Sequence, residues 1–276
     1  MAFTLGRGAT TAFYRLASYD TIGSTNAEAM ARARDGDPGR LWIVSGEQTS
    51  GRGRRGRVWE THRGNLAASL LSVFEPAPDV PATLGFVAGL ALIDALQSVS
   101  GDLRMSLALD GGSLAGDARR RFALKWPNDL LLDGAKLAGI LLEGVALAPG
   151  RQAVVVGIGV NVRHAPEGTQ YAATSLAEAG VAVSAEALFE ALAEAWVGYA
   201  AIWAEGRGFA AIRDAWLLRA AGLGAPIAVD LGGDVRRGTF ETIDETGRLV
   251  VRGQDGRTDT IAAGDVHFGL AMSAGS

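Results

Sequence analysis

Cysteine is absent from the 276-residue chain, which excludes disulfide bonds, thiolate catalysis and zinc sites built on sulfur. Histidine occurs three times, at His62, His164 and His267, far apart in sequence and at no metal-ligand spacing. Lysine is scarcer still: of 26 basic residues only Lys125 and Lys136 are lysines. No window supplies the roughly 18 consecutive apolar residues of a membrane span, and Met1 to Thr11 lacks the apolar stretch of a secretory signal. These absences predict a cytoplasmic protein that does not engage a membrane. A net charge of −4 and a pI near 5.5 argue against bulk nucleic-acid binding, which goes with a basic domain.

What is present is ordinary in bulk and unusual in one place. A hydrophobic fraction of 48% and a charged fraction of 20% fit a globular chain long enough for a full core and a small second domain. Residues 51 to 57, however, read Gly-Arg-Gly-Arg-Arg-Gly-Arg. Four arginines in seven positions repel one another unless a counter-ion or solvent screens them, so an anion belongs there. The glycines free the backbone to close over such a ligand and to aim N–H groups inward. The two lysines lie eleven positions apart in one segment, where a compact point charge serves better than a planar fork.

Along the chain, Ser24-Thr25-Asn26 reads as a helix start, with Ser24 or Thr25 as N-cap and Glu28 within reach of a capping box. Leu41 to Ser45 and Asn65 to Phe74 are strand candidates, and Pro81 to Val99 has helical apolar spacing. Glycine-rich, irregular Ser100 to Arg121 reads as a surface loop or hairpin insertion. Phe122 to Trp126 then forms a strand entering a Pro127-Asn128-Asp129 turn, and Leu130 to Leu132 meets the hairpin signal Asp133-Gly134. Lys136 to Val145 and Ala153 to Val162 are apolar enough to be covered on both faces. Two helices follow, near Ala185 to Glu205 and Gly208 to Ala221. After Gly222-Leu223-Gly224, Ile227 to Leu231, Val235 to Ile243, Leu249 to Arg252 and Thr258 to Ala262 are short strands, which predict a small barrel and a domain boundary near residue 222.

Gly51 to Gly56 formally satisfies G-x-G-x-x-G, but a dinucleotide fingerprint must open a helix, and Val58 to Asn65 has no helical period. No P-loop pattern occurs. A solvated basic loop or an RNA-binding Arg/Gly stretch remains as an alternative, without the interleaved aromatics such stretches use. Taken singly, Lys125, Asp129 and Lys136 could be surface and turn residues. Together with the arginine loop the two lysines supply the convergent cations that a nucleotide's phosphates need. Gly157 and Gly159, inside a strand, mark either close approach of a ligand or a bulge.

Ser24-Thr25-Asn26, Gln48 with Gly51 to Arg57, Lys125-Trp126-Pro127-Asn128-Asp129, Lys136-Leu137-Ala138-Gly139-Ile140 and Gly157-Ile158-Gly159-Val160-Asn161 follow the motif order of biotin protein ligases. The resemblance spans residues 24 to 162, and the C-terminal β segment is also similar to that family. It implies an α+β fold: a mixed β-sheet flanked by helices, of the class II synthetase-like biotin/lipoate ligase kind, over 1–221, with a small SH3-like C-terminal β-barrel over 222–276. It implies a ligase that uses ATP and Mg2+ to convert biotin to biotinyl-5′-AMP. The biotinyl group then passes to a lysine of a biotin carboxyl carrier protein of acetyl-CoA or a related carboxylase.

By the same resemblance, Lys136 and Arg54 are catalytic. Ser24, Thr25, Gln48, Arg52, Gly139 and Gly157 hold biotin, while Arg54, Arg57, Trp59, Lys125 and Asn161 hold the nucleotide. Asp129 either orients Lys125 or holds Mg2+. Some biotin ligases carry an N-terminal winged helix and repress transcription; 23 residues before Ser24 cannot form one, so no operator binding is expected. A homodimer is possible. A lipoate or octanoate ligase of the same superfamily is the nearest alternative; the polar Ser24, Thr25 and Gln48 favour biotin's ureido ring.

Overall fold

The computed structural model describes residues 2–268 apart from 76, 77, 79, 101–104, 108–119 and 170. A short helix, α1 (Arg7–Thr11), precedes β1 (Arg15–Tyr19) and α2 (Thr25–Arg34). Seven further strands complete one sheet: β2 (Leu41–Ser45), β3 (Leu66–Phe74), β4 (Met105–Leu107), β5 (Arg120–Lys125), β6 (Asp129–Leu132), β7 (Ala135–Ala148) and β8 (Arg151–Val160). Their order is β1-β2-β3-β8-β7-β6-β5-β4. The β1–β2 and β4–β5 pairs are parallel and the others antiparallel, so the sheet is mixed, as the resemblance implies. The Asp133-Gly134 turn has both residues at positive φ, 51° and 83°, the requirement of the tight hairpin that this dipeptide signals.

Alternation along β3, β7 and β8 decides what each face does. Ala68 and Leu70, Ala138 and Ile140, and Val154, Val156 and Ile158 point into the main core. That core is closed by α3 (Leu84–Val99), α4 (Ala185–Trp203) and α5 (Phe209–Leu217), with Trp42 set edge-on to Phe189 and Trp196 at 5.6 and 5.9 Å. On the opposite face, Leu71, Ala153 and Val155 pack under Ala29 and Ala33 of α2. Further along that face Ser69 and Gly157 lie under the first turn of α2, and beyond them Ala67, Gly139, Leu141 and Gly159 carry no helix. The functional cleft forms there.

Pro81–Val99 has the length and mean hydropathy, 1.6, of a membrane span, although Asp94, Gln97 and Ser98 interrupt its apolar run. It is instead the central core helix, begun by a 3-10 turn at Pro81–Thr83 and buried along Leu84 to Ile93. Glu28 does not form the expected capping box. Ser24 is the N-cap, its Oγ accepting from Ala27 N at 3.3 Å, while Glu28 accepts from Arg32 Nε at 2.8 Å and from the Tyr19 hydroxyl at 3.1 Å. Of the irregular 100–121 segment, most lies outside the described residues. Its described ends, β4 and the start of β5, pair in parallel, so they are not the two arms of one hairpin.

Residues beyond 222 form a second, antiparallel sheet, ordered β12-β11-β10-β9-β13, from β9 (Pro226–Asp230), β10 (Val235–Ile243), β11 (Leu249–Arg252), β12 (Thr258–Ile261) and β13 (Asp265–Phe268). Among the described residues β12 and β13 do not pair, so these ladders do not close a barrel. The last strand, β13, carries too little apolar alternation to be read from sequence. Trp126 Nε1 donates to Gly247 O at 3.1 Å, joining this sheet to the WPN turn. Gly247 sits at φ 87°, where a Cβ would lie 3.0 Å from Phe86, so the β10–β11 turn needs glycine both for its backbone and for its seat.

Candidate active site

The bare stretch of sheet is a floor made flat by glycine. Gly139 of β7 and Gly159 of β8 are register partners, and the Trp59 ring lies over them. A Cβ on Gly159 would sit 2.3 Å from Trp59 Nε1, and one on Gly139 would sit 3.1 Å from Trp59 Cζ3. Gly157 serves the first turn of α2 in the same way: its Cβ would be 2.2 Å from Asn26 Oδ1. The strand glycines are therefore sites of close approach, and β7 and β8 stay in register across them.

At one end of this floor is a polar pocket. Gln48 Oε1 accepts from the backbone N–H of Thr25 at 2.8 Å, and Gln48 Nε2 donates to Thr61 Oγ1 at 3.1 Å. Ser69, fully buried on β3, lies 2.7 Å from Thr25 Oγ1 and 2.6 Å from Asn26 Oδ1. Gly51 begins the arginine loop against this pocket; a Cβ there would be 2.2 Å from Trp59 O and 2.9 Å from Gln48 Nε2.

The arginine loop is pinned by an anion from the second sheet. Arg57, Arg55 and Arg54 approach the Asp265 carboxylate at 2.6, 3.2 and 4.0 Å. Arg54 also donates to Asn128 Oδ1 at 3.2 Å and to Gly264 O at 3.3 Å. Burial raises the Asp265 carboxyl, but the Arg57 hydrogen bond and the charges of Arg57, Arg55 and Arg54 outweigh it and hold it below its ordinary value. Burial pulls the Arg54 guanidinium below its usual value, against the pull of Asp265. Asp265 escaped the sequence reading because the loop's counter-ion lies some two hundred residues away.

Lys136 enters from the start of β7 and meets Asp129 across the hairpin at 2.7 Å, both side chains 18% exposed. Its ammonium sits over the rings of Trp59 and Tyr171, at 5.6 and 5.3 Å. The partner of Asp129 is thus Lys136 and not Lys125, which corrects one of its two expected roles. Among the described residues no cluster of three metal-ligating side chains occurs.

All the sequence-predicted site residues except Lys125 and Asn161 line this one cleft. Lys125 turns its ammonium toward Phe268 instead, 5.7 Å from the ring, where burial pulls its pKa below the usual lysine range. Asn161 is buried and donates to Thr174 O at 3.1 Å, bracing the segment that carries Tyr171. His62 and His164, remote in sequence, face each other edge-on at 6.3 Å outside the cleft.

Comparison with known proteins accords with this geometry. Residues 24–161 match the model of the biotin/lipoate A/B protein ligase family, and residues 222–269 match that of the biotin protein ligase C-terminal domain. A biotin–[acetyl-CoA-carboxylase] ligase of Paracoccus denitrificans is 43% identical over 89% of this chain and 97% of its own. A second, of Mycobacterium tuberculosis, is 36% identical over 88% and 85%. The fold is similar to that of the Aquifex aeolicus biotin protein ligase solved with biotin and ATP: TM-score 0.69, 22% identity, 92% of this chain and 99% of that one covered. The chain belongs to the biotin protein ligases of the biotin/lipoate A/B protein ligase family.

Proposed function

We infer that this protein is an ATP-dependent biotin protein ligase that makes biotinyl-5′-AMP and transfers the biotinyl group to a carrier lysine. In the first step a biotin carboxylate oxygen bonds to the α-phosphorus of MgATP and pyrophosphate leaves. In the second, the carrier's lysine amine attacks the acyl carbon of the mixed anhydride and AMP leaves. The observation that carries this reading is one cleft holding the Thr25–Gln48 polar pocket, a glycine floor, a single lysine and the arginine loop in sequence. Each part answers a physical need.

The ureido head of biotin needs paired polar groups, which Ser24, Thr25 and Gln48 supply, with Arg52 at the loop's start. At Gly139 and Gly157 the floor carries no side chain, so Trp59 and Asn26 seat close against it and wall the space for the ligand. Bringing a carboxylate to a phosphate needs preorganised positive charge at the reacting oxygens, which is the role assigned to Lys136. Asp129 holds that ammonium in place until the substrate anions arrive. Arg54 and Arg57 neutralise phosphate, exchanging Asp265 for it, and Trp59 walls the nucleotide. Mg2+ enters with ATP, bound mainly through phosphate oxygens as this ion prefers. Lys125 and Asn161 are assigned supporting parts behind the cleft.

We further propose that 1–221 forms the catalytic unit and 222–276 a C-terminal unit contributing Asp265 to it, and that the enzyme works in the cytoplasm. The acceptor is the biotin carboxyl carrier of a carboxylase; the Paracoccus and Mycobacterium relatives are named as ligases of acetyl-CoA carboxylase. ATP–pyrophosphate exchange with biotin, lipoate and octanoate tests the reading. Exchange with biotin alone is expected; exchange only with lipoate or octanoate would overturn the substrate assignment.

A further inference from the structure

Behind the polar pocket runs a chain of hydrogen bonds whose direction is fixed from outside it. Asn26 Nδ2 donates to Glu143 Oε2 at 2.8 Å. A carboxylate only accepts, so the Asn26 amide must turn its nitrogen toward Glu143 and its oxygen toward Ser69. That oxygen only accepts as well, so the single Ser69 hydroxyl hydrogen, 2.6 Å away, goes to Asn26. Ser69 Oγ is then left as an acceptor for Thr25 Oγ1 at 2.7 Å, the shorter of the two contacts open to that hydroxyl; the other, to Gln48 Oε1, is 3.1 Å. Gln48 Oε1 already accepts the Thr25 backbone N–H. The Thr25 hydroxyl hydrogen is thereby spent inward, and toward the cleft this oxygen offers lone pairs only.

Gln48 is oriented independently. The Thr25 N–H fixes its oxygen, Thr61 Oγ1 takes one Nε2 hydrogen, and among the described residues the second Nε2 hydrogen has no acceptor. The pocket therefore presents one acceptor and one donor side by side. That pair complements an N–H next to a C=O, as in a cyclic urea.

We propose that Glu143 is a positioning residue that sets the donor–acceptor polarity of the biotin-head pocket through Asn26, Ser69 and Thr25. The proposal rests on the ligase reading above. Glu143 stands on β7, two residues beyond Leu141 on the same face of the strand; it does not line the cleft and is itself exposed. Its removal opens no core. Without it the Asn26 amide can turn over, Ser69 can donate to Thr25, and the Thr25 hydrogen is freed to be shared between Gln48 Oε1 and the ligand.

The test is biotin-dependent ATP–pyrophosphate exchange by the full chain, comparing biotin with two analogues in which a ring oxygen replaces one or the other ureido N–H. In the wild type the analogue carrying oxygen opposite Thr25 should have a KM roughly 30- to 100-fold above that of biotin, because two acceptors then face each other. In Glu143→Ala the biotin KM should rise about five- to tenfold, with kcat and the KM for ATP little changed, and the analogue-to-biotin ratio should fall by about tenfold. Ser69→Ala, which cuts the same chain at its middle, should lower the ratio in the same way. An equal rise in both KM values, leaving the ratio as in the wild type, would show Glu143 to be merely structural and overturn the proposal. Wild-type protein without any biotin-dependent exchange would instead remove the ligase reading, and this inference with it.

Discussion

Replacing Asp265 by alanine should release the arginine loop. Three guanidinium groups share this one carboxylate, which is 24% exposed, and the arginines themselves are 25%, 40% and 62% exposed from Arg54 to Arg57. Exposed pairs contribute about 0.2–1 kcal/mol each, so the three together supply about 1–2 kcal/mol once the 4.0 Å Arg54 contact is discounted. A loss of that size multiplies the open population by roughly five- to thirtyfold. The loop reports on itself, because Arg54, Arg55 and Arg57 are trypsin sites. Limited digestion of the folded protein, with cleavage positions mapped by mass, should show Asp265→Ala cut between residues 54 and 58 about ten times faster than the wild type. High salt should narrow the gap by screening the wild-type contact. Biotin with MgATP should protect both proteins, since phosphate takes over the role of the carboxylate. Equal cleavage of the two unliganded proteins would refute the reasoning and leave Asp265 a bystander.

The same contact should titrate. Asp265 lies below its ordinary value of 3.8 when folded, so its contribution is complete above that value and is lost as pH falls through the lowered one; the Tm difference between wild type and Asp265→Ala should be present at pH 6 and vanish in that acidic window. Gly159→Ala should push the Trp59 ring off the floor, since the new Cβ would lie 2.3 Å from Nε1 and 2.4 Å from Cε2. Its overpacking cost of about 1–3 kcal/mol should appear as a raised KM for ATP, and an unchanged KM would place the nucleotide away from Trp59. Lys136→Ala should lower single-turnover adenylate formation by roughly 10²–10³-fold or more while sparing biotin affinity by calorimetry. Wild-type-like adenylation in that variant would refute its assigned role.

The sequence by itself determined the parts whose physics is local. Asp133-Gly134 made a hairpin because Asp tolerates, and Gly readily adopts, the positive φ that a two-residue turn needs at both positions. Ser24 capped α2 because its hydroxyl reaches the backbone three residues on. Gly157 and Gly159 inside a strand pattern left either close approach or a bulge, and the fold makes them sites of close approach by Asn26 and Trp59. The α+β class followed from the motifs that carry the resemblance to biotin protein ligases.

Tertiary structure decided whatever depends on pairing between distant residues. It gave the Asp129 ion pair to Lys136, although Lys125 is the direct cross-strand partner of Asp129, because the Lys125 ammonium lies by the Phe268 ring instead. It drew Asp265 from the last strand to the arginine loop. It joined Glu143 to Thr25 through Asn26, read only as part of the Ser24-Thr25-Asn26 motif, and through Ser69, which carried no signal of its own. Local propensity depends on a few neighbouring dihedral angles and can be read along a chain. Charge neutralisation and hydrogen-bond direction depend on which atoms finally meet, and only the folded sheet brings these together.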